Sequence, residues 1–240
     1  LYNSYTGAIV DFTDKEKAEV MESLKRSGTD SLDSDVKNAL FENGFIVPEN
    51  VDEKRRAEYL HQSMHRTDML HLILMTTEQC NFRCTYCYET FARGKMTDET
   101  KNGVKALVKE RANTLNNLHI SWFGGEPLLE LGIIEELSNT FMAEAKEYKI
   151  DYSADIVTNG FFLTKDVFEK LLSWEVRQYM VTIDGVQAVH DRRRHMAGGQ
   201  GTFERIIENL KTIREVDGQF DMTIRVNFDE DNLQETGDLI

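Results

Sequence analysis

The amino-acid sequence predicts an α/β fold built on a parallel sheet, closed as a barrel or left open, behind a small α+β module. Two observations carry this. From residue 71 onward, short apolar runs alternate with amphipathic helical stretches, the pattern of repeated strand–helix units whose strands run parallel. Residues 1–66 have a different texture of short, more polar elements and read as a separate module with a linker helix, leaving 67–240 for the sheet.

Taken in order, the module opens on Leu1–Val10, a β-like run containing Gly7, followed by helical patterns over 14–25 and 34–42. Gly44 to Pro48 reads as a short strand closed by proline. A charged helix over 52–66 then presents Tyr59, Leu60 and Met64 as a modest apolar face. The larger part offers strands at 71–77, 119–123, 155–157, 179–183 and 222–227, with helical patterns at 97–115, 133–148, 165–174 and 202–216. The last is the clearest: Phe203, Ile206, Ile207, Leu210 and Ile213 share a face, and Thr202 stands where an N-cap belongs.

With 240 residues, 40% of them hydrophobic, the chain can bury a sizeable core. Its net charge of −14 repels phosphate backbones and anionic lipid, so neither nucleic acid nor membrane is an expected partner. No apolar run reaches the roughly eighteen residues a membrane helix needs, and a cytoplasmic setting is expected. The chain opens on Leu1 rather than Met, which leads us to expect a piece of a longer polypeptide.

All three cysteines fall in Cys80-Asn81-Phe82-Arg83-Cys84-Thr85-Tyr86-Cys87. A disulfide framework would spread and pair them, so this clustering points to metal. Thiolates ligate iron–sulfur clusters and structural zinc alike, but both usually take four ligands and no fourth cysteine exists. A histidine such as His71 or His119 could complete a zinc site, though neither has zinc-finger spacing to the cysteines. Three thiolates on a four-iron cluster would instead leave one iron open to a substrate.

With Tyr86 immediately before the last cysteine, the run resembles the signature of the radical S-adenosylmethionine (SAM) superfamily. The resemblance implies a partial (β/α)6 TIM-like barrel and a [4Fe-4S] cluster on Cys80, Cys84 and Cys87. It further implies SAM bound at the open iron and cleaved reductively, giving a 5′-deoxyadenosyl radical that takes a hydrogen atom from the substrate. Mapped onto this chain, the family's SAM contacts fall on Tyr86, on Gly124, Gly125 and Glu126 of the GGEP stretch, and on Asn159 of Thr158-Asn159-Gly160. Thr182 of Thr182-Ile183-Asp184-Gly185 and Arg194 of His190-Asp191-Arg192-Arg193-Arg194 complete the set, at the ribose and the carboxylate. From the residues alone, the two glycines permit close backbone approach to a ligand or a plain tight turn, and Asn-Gly is only a turn. Arg192 and Arg193 read as a solvated turn. His190-Asp191 reads as a helix-start feature more readily than an acid–base pair, and no residue is assigned as a catalytic acid or base. Asn227 ends the fifth strand, where it would approach the nucleoside. Every motif follows a strand candidate, and parallel α/β folds build their sites at the carboxyl ends of strands.

Within the superfamily the likeness is closest to the peptide-modifying, SPASM/twitch-type maturases. That branch implies a ribosomally made precursor peptide as substrate. Its leader would be bound by residues 1–50, a winged-helix-like element that adds a strand from the peptide. It implies thioether or other cross-link formation and a reductant such as a flavodoxin or ferredoxin. The alternatives are a formylglycine-generating, sulfatase-maturase-like enzyme, or a non-catalytic peptide-binding protein with a structural cluster. No cysteine follows Cys87 and five strands are counted where the family has six, so a C-terminal cluster domain is expected to be missing from this chain.

Overall fold

The computed structural model describes residues 1–26, 28–29, 32–64, 66–230 and 232–233; the side chain of Met64 lies outside what is described. The chain divides into two compact units, Leu1–His65 and Arg66–Ile240.

The first unit carries three helices, α1 (Asp14–Lys25), α2 (Ser34–Glu42) and α3 (Glu53–Met64). A capping box between Thr13 and Glu16 starts α1, satisfying end-of-helix donors reciprocally. Val20, Leu32 and Leu40 form its small core. Among the described residues, the expected β content is reduced to one antiparallel bridge, Tyr2 to Ile9. The reason is local: the Asn3 side-chain oxygen accepts from the Tyr5 and Thr6 N–H groups and Gly7 sits at φ 75°, so the run folds back on itself early. Gly44 to Pro48 is not a strand either; Gly44 lies at φ 72° and its carbonyl accepts from the Asn3 amide at 2.8 Å. Tyr59 on α3 remains 74% exposed, so the apolar face expected there is not packed.

The second unit is a five-stranded, all-parallel sheet in sequential order: β1 (Met69–Met75), β2 (Asn117–Phe123), β3 (Asp151–Thr158), β4 (Val176–Thr182) and β5 (Asp221–Arg225). Helices α4 (Asp98–Arg111), α5 (Leu131–Tyr148), α6 (Lys165–Ser173) and α8 (Phe203–Ile213) alternate with the strands, and a short α7 (Gln187–Arg193) precedes α8. This is the strand–helix repeat of a partial TIM-like barrel. No helix among the described residues is long and apolar enough to cross a membrane.

The two faces of the sheet differ, and that difference explains the strand boundaries. Leu118, Ile120, Trp122, Ala154, Ile156 and Val181 join Phe141 and Phe168 of the helices in one continuous core. Each large side chain buried there contributes roughly 2–3 kcal/mol. The opposite face of β1–β3 is mixed: His71, His119, Ser121, Ser153 and Asp155 stand beside the exposed Met69 and Ile73 of β1. In β3 the alternation is therefore Tyr152/Ala154 inward and Ser153/Asp155 outward, and the strand begins at Asp151, well before the 155–157 read from its apolar residues.

Helix α8 buries Ile206 and Ile213 as its pattern predicts, but Thr202 does not cap it with its side chain. Asp191 of α7 does so: its Oδ1 accepts from the Thr202 and Phe203 N–H groups at 2.7 and 2.9 Å. The Thr202 hydroxyl is turned instead to the Arg194 carbonyl, at 2.7 Å. Replacing Asp191 with alanine is expected to lower the unfolding free energy by about 1–2 kcal/mol. Urea unfolding checks this, and Asp191→Asn, which keeps an acceptor, should lose less. An unchanged midpoint for Asp191→Ala would remove Asp191 from the cap.

Candidate active site

Beyond β1 the chain enters the cysteine loop, which is part of no helix or strand and is held by backbone bonds to a distant segment. Arg83 N–H donates to His195 O and Thr85 N–H to Arg193 O, both at 2.9 Å, and Ala197 N–H donates to Asn81 O at 2.8 Å. Phe82, 1% exposed, anchors the loop in the core below. The segment from Arg193, the last residue of α7, to Ala197 is thus zipped along the cysteines, which sets Arg194 near enough to Cys84 for its charge to oppose the upward push of burial on that thiol.

A cavity of about 360 Å³ opens at the carboxyl ends of the strands. Cys80, Cys84 and Cys87 line it together with Tyr86, Gly124, Gly125 and Asn159. Thr182, Arg194 and Asn227 line it as well. The spacing rule that put every motif after a strand therefore converges on one mouth.

Glu126 is the exception, since it does not line the cavity. Its side chain is fully buried and its oxygens are already engaged: Oε1 accepts from Leu128 N–H and the Thr158 hydroxyl at 3.0 and 2.7 Å, and Oε2 from Asn159 N–H at 2.7 Å. Burial pushes its carboxyl up from the usual range, while these three donors pull it back. The carboxylate thus clamps the β2 and β3 exits together, at a position where the resemblance implies a SAM contact. The glycines have a related reason. A Cβ on Gly124, at φ 144°, would overlap the Thr77 carbonyl, and one on Gly125 would overlap the Glu78 and Gln79 carbonyls. Gly125 N–H donates to Thr77 O at 3.0 Å and Glu126 N–H to Gln79 O at 2.9 Å. The close approach is to the start of the cysteine loop, and Asn159 adds to it by donating to the Asn81 side chain at 2.8 Å and lying 3.7 Å from the Cys80 sulfur.

On the other side Tyr86 is the hub of a polar network. Its hydroxyl donates to Asp184 at 2.5 Å and accepts from Arg194 at 2.6 Å and from the Asn227 amide at 3.0 Å. Burial pushes the phenol up to about 12, so it remains protonated. Asp184, fully buried, also accepts from the Asn227 N–H at 3.0 Å and ties the β4 and β5 exits. Its importance is invisible in one dimension, because Tyr86 lies 98 residues away. Arg225, at the end of β5, also lines the cavity, unremarked in the sequence. Arg193 departs from the solvated reading: it is 9% exposed and pairs with Asp229 at 2.8 Å, while Arg192 is exposed as expected.

His190 supports Arg194 from behind. Its Nδ1 accepts from Asp184 N–H at 3.3 Å, and its Nε2 meets the Thr202 hydroxyl at 3.1 Å, which holds the Arg194 carbonyl. Burial, reinforced by the Arg194 charge, depresses His190 to about 4. An unfolded histidine titrates near 6.5, so between these values the folded protein binds fewer protons than the unfolded chain. The contribution is complete above about pH 6.5 and is lost as pH falls toward 4, by up to about 3 kcal/mol. His190→Gln should flatten that part of the stability–pH curve in urea unfolding. An identical slope in the variant would sink the assignment.

The cysteine site suits a cluster better than a single ion. A zinc ion with Zn–S bonds of about 2.3 Å holds its sulfurs roughly 3.8 Å apart. Among the described residues, the only group of three potential ligands within 4.8 Å of one another is His71, His119 and Asp155, which contains no cysteine. The wider thiol set fits a multi-iron cluster, and no histidine joins it. Burial pushes Cys80 up to about 11 and raises Cys84, so loading metal must displace their protons. Beside the thiols, the buried Arg194 Nε has no hydrogen-bond partner among the described residues, a donor that fits an anionic ligand group.

A profile of the Radical SAM superfamily matches residues 74–240. The AdoMet-dependent heme synthase of Methanosarcina barkeri is 30% identical over 168 residues, 66% of this chain and 42% of the relative. The cysteine-type anaerobic sulfatase-maturating enzyme of Clostridium novyi is 26% identical over 168 residues, 65% of this chain and 43% of the relative. Among solved structures, anSMEcpe with bound AdoMet superposes with a TM-score of 0.61 at 20% identity, over 71% of this chain and 47% of that one. SuiB of Streptococcus suis bound to S-adenosylmethionine gives 0.50 at 15% identity, over 94% of this chain and 47% of its own. That span exceeds what the second unit alone supplies. At these identities the structural likeness is one of fold, and the chain spans less than half the length of these relatives.

Proposed function

Because the chain belongs to the radical SAM superfamily, whose cofactors are a [4Fe-4S] cluster and SAM, we propose that it cleaves SAM reductively to modify a peptide. The observation that carries this is the convergence of three thiols, the GGEP backbone and Arg194 on one cavity with no fourth protein thiol. When bound, the cofactor pair supplies one-electron cleavage of SAM and the hydrogen abstraction that follows.

The chain's own residues bind and orient. Cys80, Cys84 and Cys87 hold the cluster, and the backbone of Gly124 and Gly125 receives the methionine end of SAM. Arg194, fixed by Tyr86 and braced through Thr202 and His190, meets the carboxylate. Thr182 and Asn227 face the nucleoside, and Asn159 holds the Cys80 and GGEP loops in register. A flavodoxin or ferredoxin supplies the electron.

The substrate is a ribosomally made precursor peptide, cross-linked through a thioether or another bond, with its leader taken by residues 1–50. In support, anSMEcpe has been solved with AdoMet and a Kp18Cys peptide. The first unit also has a cavity of about 650 Å³ lined by Tyr2, Tyr5, Phe45 and Leu60, which offers apolar contacts to an extended segment. The likeness to sulfatase-maturating enzymes favours a second reading, oxidation of a peptide cysteine or serine to formylglycine.

The test is anaerobic reconstitution with iron and sulfide, then reduction with SAM alone or with candidate peptides. 5′-Deoxyadenosine should form and a cross-linked peptide should lose mass as hydrogen. Formylglycine in a sulfatase-type peptide would select the second reading, and no 5′-deoxyadenosine under any condition would overturn both.

A further inference from the structure

The sheet face opposite the core carries a polar group, beside the exposed Ile73, that the cavity chemistry does not use. His71, His119 and Asp155 stand on three adjacent parallel strands, paired in register as His71 with His119 and, one step along, Ser121 with Asp155. One donor atom from each of the three lies within 4.8 Å of the others. His119 Nε2 is 2.8 Å from Asp155 Oδ2, His71 Nε2 is 2.8 Å from Ser121 Oγ, and Ser121 Oγ in turn bonds Asp155. The His71 and His119 rings meet edge to face at 4.7 Å.

We propose that these three residues form a second metal centre for one borderline divalent ion of the zinc class. Two imidazoles and one carboxylate are the donor set such ions prefer, whereas magnesium and calcium want oxygen throughout. Bonds of about 2.1 Å in a tetrahedron place ligand atoms roughly 3.4 Å apart. The separations here, from 2.8 Å up to the 4.8 Å limit, bracket that distance. Only side-chain adjustment is needed, because the backbone positions are set by sheet register.

The residues around the donors are arranged as metal ligands require. Ser153 Oγ bonds His119 Nδ1 at 2.8 Å, which fixes that ring and leaves Nε2 directed at Asp155. Without metal, the protons on this network do the job of holding the donors together; an ion would displace them. His71 is exposed and His119 and Asp155 are half-buried, so an ion can enter. Three protein ligands leave a coordination position open on this face. Asp155 is two residues from Val157, which lines the thiol cavity, so a group bound to the ion would lie about 7 Å along the strand from that lining. The ligand class is therefore a divalent transition ion whose open position takes water or a carbonyl, carboxylate or thiolate of a substrate.

The test uses the protein with its iron–sulfur cluster reconstituted and any affinity tag removed, so that the thiols are occupied. Cobalt(II) is the probe, read by its visible ligand-field absorption and displaced by zinc(II). About one equivalent should bind with a nitrogen/oxygen spectrum, and His119→Gln should weaken binding at least about a hundredfold while iron content stays unchanged. Ser153→Ala should weaken it about tenfold. If His119→Gln does not fold, His71→Gln, on an exposed position, gives the same reading. Equal cobalt affinity in the wild type and the folded variants, or no bound cobalt at all, overturns the proposal. So does a cobalt spectrum of thiolate character that survives His119→Gln.

Discussion

Replacing Cys84 with alanine is expected to reduce the iron content of reconstituted protein to background and abolish SAM cleavage. The chain has three cysteines, so no spare thiolate can take the place of a lost one. Cys84 is also the half-buried thiol whose titration feels both Arg194 and Cys87. Removing it leaves two donors and empties the site beside the guanidinium. 5′-Deoxyadenosine formation should fall by at least about three orders of magnitude, equivalent to roughly 4 kcal/mol of lost transition-state stabilisation. Cys84→Ser, which keeps a poorer ligand, should retain part of the iron and little of the turnover. Iron and sulfide analysis with quantified 5′-deoxyadenosine decides it. Wild-type cleavage by Cys84→Ala would overturn the ligand assignment, and one zinc per chain in place of iron would overturn the cluster itself.

Much of this site can be read from the sequence because its letters carry chemistry irrespective of distance. Three cysteines in eight residues, GGEP, and the Thr182 to Arg194 stretch all point to candidate ligand atoms, and all but one of the expected residues line the cavity. What cannot be read is direction. A carboxylate could pair with a ligand's ammonium, yet that of Glu126 is buried, because Thr158, Asn159 and Leu128 supply donors there. Asp191 reads as part of a helix-start feature, and the helix it starts is α8 rather than its own α7, a contact between elements that local pattern does not specify. Asp184 needs Tyr86 to be recognised at all. The fold was legible for the same kind of reason and failed in the same places. Helices declared themselves by one apolar face, as α8 did. The apolar pattern understates β3 because half of that strand's residues face away from the core, and it overstates β structure in the first unit, where the Asn3 turn and the positive-φ Gly7 and Gly44 fold the runs back.

Glu126→Gln separates the two roles that the GGEP carboxylate could play. As the structure has it, the side chain accepts three hydrogen bonds at a fully buried position and donates none. A glutamine keeps one acceptor and turns an NH2 group toward either the Asn159 N–H or the paired Leu128 and Thr158 donors. At least one buried donor then faces a donor, at a cost of about 2–3 kcal/mol in unfolding free energy. Urea unfolding of the cluster-free protein measures that directly, without any ligand. SAM affinity of the reconstituted variant, measured where it remains folded, should change by less than about tenfold, or 1.4 kcal/mol. Were the carboxylate instead the partner of the SAM ammonium, the pattern would invert, with near-normal stability and a much larger loss of affinity. Loss of stability with affinity largely kept would mean that GGEP receives its ligand through glycine backbone, while its acid holds two strand exits at the spacing the cysteine loop requires.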